Sequence, residues 1–133
     1  MSISIRQVAP KGLHYRIEFG SQELVLDMPP PQGEGPDPHA VFDASLGGCK
    51  AMTLMLYAQR KGIPLESVDV DIEHDDTDER QGVYRLQASL TLGGPLSDAQ
   101  MDELLGVADR CPVHKLMTRT DIQVTTSVRR PAG

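Results

Sequence analysis

The stretch "PHAVFDASLGGCKAMTLMLYAQRKG", Pro38 to Gly62, decides how the rest of the chain has to fold. Asp37 before it is a good N-cap residue, Pro38 suits the first helical position, and Gly62 followed by Pro64 supplies the stop. The spacing predicts a helix over 38–62. Its middle, "AMTLMLYA", is apolar on nearly every side, the pattern of a helix buried all round. Gly47 and Gly48 lie inside it, each costing about 1 kcal/mol relative to alanine. One reading of the pair is close packing of another backbone against a glycine face. The other is that small residues beside Cys49 leave space for a ligand, and the two are compatible.

Outward from this helix the chain is organised by alternation. Residues 1–28 repeat apolar positions every second residue, at Ile3 and Ile5, then Leu13, Tyr15, Ile17 and Phe19, then Leu24 and Leu26, with turn residues in "APKG" and "FGSQ". This predicts an N-terminal β-meander. Residues 29–37 are too rich in Pro and Gly to be helix or inner strand and form a surface loop leading into the helix. Downstream, "ESVDVDIEH" and "VYRLQASLTL" alternate apolar and polar residues on either side of "DDTDERQG", a strand pair around a polar tip. That acidic tip lacks the spacing and central Gly of an EF-hand loop.

"SDAQMDELLGVADR" opens with a capping box from Ser97 to Gln100 and predicts a second, shorter helix. It ends where Pro112 biases Cys111 towards an extended conformation, with one further turn in "PVHKLM". A final strand is expected in "TDIQVTTSV", so that residues 66–128 hold a strand pair, a helix, Cys111 and a last strand. Strands and helices do not alternate strictly, which favours a two-layer α+β fold with an antiparallel sheet over a doubly wound parallel one. A long, uniformly apolar helix is hard to cover in so small a domain, and a second subunit is expected to help, as a homodimer.

Composition sets the outer limits. At 133 residues, 39% of them apolar and 24% charged, the chain is the size of one globular domain. A net charge of −6 argues against a nucleic-acid partner, which needs a basic face to displace counterions. No apolar run is long enough to span a bilayer and "MSISIRQVAP" lacks the layout of a secretory signal, so a cytoplasmic location and no membrane partner are expected. No Gly-x-Ser-x-Gly, phosphate loop or dinucleotide fingerprint occurs.

The two cysteines remain. They do not form a Cys-x-x-Cys pair, so neither a zinc ribbon nor a thioredoxin motif is available. A single cysteine in an apolar helix is most often a small buried hydrophobe. The pair weighs differently: Cys49 sits beside a Gly pair in the core helix, and Cys111 at a helix end set by proline in "RCPVHKLM". A peroxidatic thiol needs a thiolate to attack an O–O bond, giving a sulfenic acid, and a second thiol to condense with it. Cys49 lies too deep in its helix to gain from the N-terminal dipole, so a cation is required. Arg16, Arg60 and Arg110 are the candidates.

These residues resemble the OsmC/Ohr superfamily of thiol-dependent peroxidases. "GPDPHAVFDASLGGC" looks like the family's segment leading through a small-residue helix to its first cysteine, and "ADRCPVHKLM" looks like its Cys-Pro motif; element order and length are similar over almost the whole chain. The resemblance implies an intertwined homodimer with sites at the subunit interface and no metal or organic cofactor. It makes Cys49 the peroxidatic and Cys111 the resolving cysteine. It also implies an organic hydroperoxide substrate and a dithiol reductant, often of the lipoyl type. One departure stands out: His39 occupies the place of a family glutamate that orients the activating arginine. A neutral imidazole cannot pair with a guanidinium as a carboxylate does. Arg16 is the choice for that arginine.

Two other readings use the same residues. Cys49, Cys111, His114 and His39 would suit a soft metal such as zinc or copper. A non-catalytic relative would instead bind a small apolar molecule near Met52, Met55 and Met117. His14 and His74, near polar strand ends, read as surface residues.

Overall fold

The computed structural model describes residues 2–132. In order these form β1 (Ser4–Gln7), β2 (Tyr15–Phe19), β3 (Gln22–Leu26), α1 (Pro38–Lys61), β4 (Ser67–Asp75), a 3-10 turn (Glu79–Gln81), β5 (Arg85–Gly93), α2 (Asp98–Ala108) and α3 (Pro112–Arg119). The class is α+β with antiparallel pairing. The chain resolves into two compact units, the first comprising residues up to Gly48 with Val70–Leu90, the second Cys49–Asp69 with the residues from Thr91 onward.

In the first unit, β1 pairs antiparallel with β2 (Ile5 opposite Ile17) and β2 with β3 (Ile17 opposite Leu24). Gly20, at φ +68°, makes the tight turn between β2 and β3. The loop after β3 folds back on Asp27, whose carboxylate accepts from the Met28 amide at 2.7 Å and the Glu34 amide at 3.2 Å. Those two amides, the Met28 bond foremost, hold the Asp27 carboxyl below its ordinary range.

The helix signals act as expected. Asp37 Oδ1 accepts from the Ala40 amide at 3.2 Å, capping α1, and Pro38 takes the first position. Gly62 is left-handed at φ +69°, and the Ile63 amide donates to Ala58 O at 3.0 Å, a Schellman ending. At α2 the Ser97 Oγ accepts from the Gln100 amide at 3.1 Å and Gln100 Oε1 from the Ser97 amide at 3.0 Å, closing the capping box. The second unit's buried apolar side chains include Leu54 and Ala58 of α1, Leu65 after it, Leu104, Val107 and Ala108 of α2, and Cys111.

The antiparallel pairing falls into two sheets, β1-β2-β3 and β4-β5. Two expectations are corrected. The strand expected in "TDIQVTTSV" does not form: residues 120–128 have no regular structure and are exposed, and among the described residues no strand pairs with them. The glycine pair divides. A Cβ on Gly47 would lie 3.0 Å from Ile72 Cγ1 and 3.6 Å from Val70 Cγ1, so Gly47 admits the side chains of β4 rather than another backbone. Gly48 would meet nothing within 4 Å.

Candidate active site

The second unit holds both cysteines as free thiols, Cys49 half-buried on α1 and Cys111 fully buried between α2 and α3. Cys111 is itself a helix cap. With Pro112 at the first position of α3, its backbone is extended (φ −66°, ψ 143°) and its Sγ accepts from the His114 amide at 3.4 Å. The Cys49 thiol is near enough to act on the Cys111 proton. Burial pushes the Cys111 thiol up; the His114 amide acts against this, while Cys49 adds to it and Lys50 opposes it. Cys111 therefore holds its proton more firmly than an ordinary thiol.

Lys50, next in sequence to Cys49, is the charged group that sequence reasoning missed. Its side chain is buried, and Nζ donates to Ala108 O at 3.0 Å and Asp109 Oδ1 at 3.1 Å, with His114 Nδ1 at 3.1 Å. One lysine from α1 thus ties together the last turn of α2, the residue after it and the first turn of α3. A signal was available, since a lysine in a helix apolar all round has to find partners.

Arg16, the arginine chosen from sequence, lies in the meander with its Nε 3.0 Å from Glu18 Oε2 and 3.6 Å from Glu23 Oε1. His39 lies in the same unit, on the first turn of α1, with Nε2 2.9 Å from Glu79 Oε1. The residues named for a metal do not gather: among the described residues no three His, Cys, Asp or Glu side chains are placed to hold one. His114 Nδ1 already faces the Lys50 amine.

The first unit has a polar cluster of its own. Asp43 of α1, buried, accepts from Tyr84 Oη at 2.7 Å and bonds His74 Nδ1 at 2.6 Å. His74 is exposed, as its strand-end position implied, and is also a partner of the helix. A cavity of about 410 Å³ beside this cluster is lined by Pro38, His39, Phe42, Glu79 and Tyr84. The hydrogen bond to Asp43 raises the His74 imidazole above its ordinary value. Burial, then Asp43, keeps the Tyr84 phenol protonated well above its usual range.

Both shifts act in the same direction on stability. A histidine raised in the folded state contributes fully below its unfolded pKa and loses that contribution as pH rises through the folded value. A phenol raised in the folded state makes unfolding easier once pH passes its unfolded value near 10. Urea midpoints should therefore fall from about pH 5.5 to pH 8 and again above about pH 10. Asp43→Asn should flatten the first fall. A midpoint that rises between pH 5.5 and 8 would contradict the Asp43–His74 link.

The model of the family described as OsmC-like protein matches residues 31–127, which include α1, both cysteines and the 120–127 segment. Among solved structures, an OsmC-like protein from Mycoplasma pneumoniae is similar with TM-score 0.73 and 21% identity, over 90% of this chain and 89% of that one. The organic hydroperoxide resistance protein OhrB of Bacillus subtilis gives TM-score 0.61 and 18% identity, over 90% and 92%. An organic hydroperoxide resistance protein OsmC from Legionella pneumophila, described as a predicted redox protein, gives 0.62 and 20%, over 90% of each chain. A comparison with curated protein sequences gave no match. At these identities the solved structures speak for the fold, and the family match, which takes in most of the chain, makes this protein a member of the OsmC-like family.

Proposed function

We propose that the protein is a thiol-dependent peroxidase that reduces organic hydroperoxides as a cytoplasmic homodimer. The observation that carries this reading is the juxtaposition of two free thiols, Cys49 and Cys111, one of them holding its proton. The names of the Bacillus subtilis and Legionella pneumophila proteins, both organic hydroperoxide resistance proteins, support the substrate class. The Cys49 thiolate attacks the outer peroxide oxygen; the O–O bond breaks, the alcohol leaves with a proton, and Cys49 becomes a sulfenic acid. The Cys111 thiol then condenses with it, forming the disulfide and releasing water. A dithiol reductant, of the lipoyl type in this reading, takes up the disulfide oxidation and restores both thiols.

Cys111, with its proton retained, suits the second step, which leaves the first to Cys49. Arg16 and His39, which the resemblance names beside the thiols, are engaged within the first unit, Arg16 with Glu18 and His39 with Glu79. No metal or organic cofactor takes part. No helix among the described residues is long and apolar enough to cross a membrane. Large exposed apolar side chains on α1, Met52 and Leu56, support a second copy as their cover.

Trapping the intermediate tests this. In Cys111→Ser, one equivalent of cumene hydroperoxide should leave a dimedone-reactive sulfenic acid on Cys49. The parent should give a Cys49–Cys111 disulfide and no adduct. Adducts on neither protein, with thiols intact, would reject the peroxidase. That outcome would favour an apolar-ligand binder, for which the Phe42 and Tyr84 walls of the first unit's cavity are the supporting observation.

A further inference from the structure

The side chain of Lys50 is almost completely out of water, 3% exposed as a residue, yet nothing in the peroxidase chemistry above uses it. Burying an ammonium is costly unless every proton finds an acceptor. Here three acceptors lie at 3.0 to 3.1 Å, matching the three protons of an ammonium: Ala108 O, Asp109 Oδ1 and His114 Nδ1. Facing a cationic donor, His114 Nδ1 presents its lone pair, which puts the ring proton on Nε2.

Only one acceptor is anionic, and it compensates poorly. The Asp109 side chain is 75% exposed, so water screens the carboxylate while the ammonium stays dry. Neither of the other two acceptors is an anion. A net positive charge is therefore left inside the second unit, close enough to Cys111 to act on its thiol. The three acceptors also bracket Cys111 in sequence, at 108, 109 and 114, while Lys50 itself adjoins Cys49.

We infer that Lys50 is the positioning residue of the thiol pair: its ammonium holds the 108–114 turn so that Cys111 stays beside Cys49, and it sets a positive charge next to that turn. The inference rests on the two sulfurs acting together, but not on a peroxide being their oxidant. It assigns the cation role within the second unit to a residue that neither Arg60 nor Arg110 anticipates. A purely structural brace at the end of α2 would hold the fold and leave the acidity of the sulfurs alone.

Three measurements on the full chain separate these cases: the thermal melt, the thiolate absorbance at 240 nm against pH, and the rate of Cys49–Cys111 disulfide formation with diamide, an oxidant that is not a peroxide. Lys50→Met keeps the aliphatic stem and removes the charge. It should move the thiolate titration to higher pH and slow diamide-driven closure about tenfold at neutral pH. Lys50→Arg should keep the titration close to the parent's. A folded Lys50→Met protein that changes its melt but neither its titration nor its closure rate overturns the inference.

Should Lys50→Met not fold, His114→Ala decides, because it leaves the ammonium but removes one of its three holds. Closure should slow about threefold, and an unchanged rate overturns the inference. The peroxidase reading fails separately: if diamide closes the pair with the Lys50 dependence described while cumene hydroperoxide leaves it untouched, Lys50 keeps its role and the peroxide is wrong.

Discussion

Cys49→Ser should abolish hydroperoxide-dependent thiol loss, lowering its single-turnover rate by at least about a thousandfold, because a serine hydroxyl is not appreciably ionised near neutral pH and is a far weaker nucleophile than thiolate. Cys111 remains in that variant, buried at 0% exposure and holding its proton firmly, so it cannot replace the missing sulfur. The measurement is loss of free thiol after mixing with cumene hydroperoxide, followed by stopped flow. Cys111→Ser should behave differently, with one rapid turnover and then arrest. If Cys49→Ser consumes thiol as fast as the parent, the order of the two cysteines is wrong.

The largest effect on stability should come from Leu104→Ala. Leu104 is 0% exposed on α2, one helical turn before Ala108. Truncation removes buried methyl groups and leaves a cavity, costing about 2–5 kcal/mol. The Ala108 carbonyl that accepts from Lys50 sits on the next turn, so the loss falls on the segment that carries the Lys50 hold. Urea denaturation should show a lower midpoint, and a change below about 1 kcal/mol would mean that Leu104 is not the core residue its burial implies.

The elements that sequence could locate were those whose ends are fixed by local chemistry. Asp37 with Pro38, Gly62, the Ser97–Gln100 box and Pro112 each satisfy or terminate their own helix, and the structure places α1, α2 and α3 on them. Alternation in "VDVDI" and "RLQASLTL" likewise matches the half-buried and exposed faces of β4 and β5. The strand expected in "TDIQVTTSV" failed for the opposite reason. Alternation describes a face, whereas a strand exists only with a hydrogen-bonding neighbour, and the described residues provide none.

At the candidate site, the cysteines were visible as residue types in unusual places, and the family resemblance supplied their order. Lys50 and Asp43 were not singled out, because a charged residue in an apolar helix announces only that it has a partner and not which one. Their partners, at 108–114 for Lys50 and at 74 and 84 for Asp43, lie far along the chain. Arginine was the expected cation because the resemblance implies an activating arginine, but an ammonium with three contacts of 3.0 to 3.1 Å was next to Cys49.

Cys111 does two jobs with one sulfur. It is a redox centre in the proposed chemistry and, through the His114 amide, the end-cap of α3. Whatever changes the electron density on that atom, whether ionisation, a bond to Cys49 or reduction by a dithiol, must also change how well it accepts from that amide. The chemical state of the thiol is thus transmitted to the backbone of the following turn without any domain having to move, and a single amide proton can serve as its reporter.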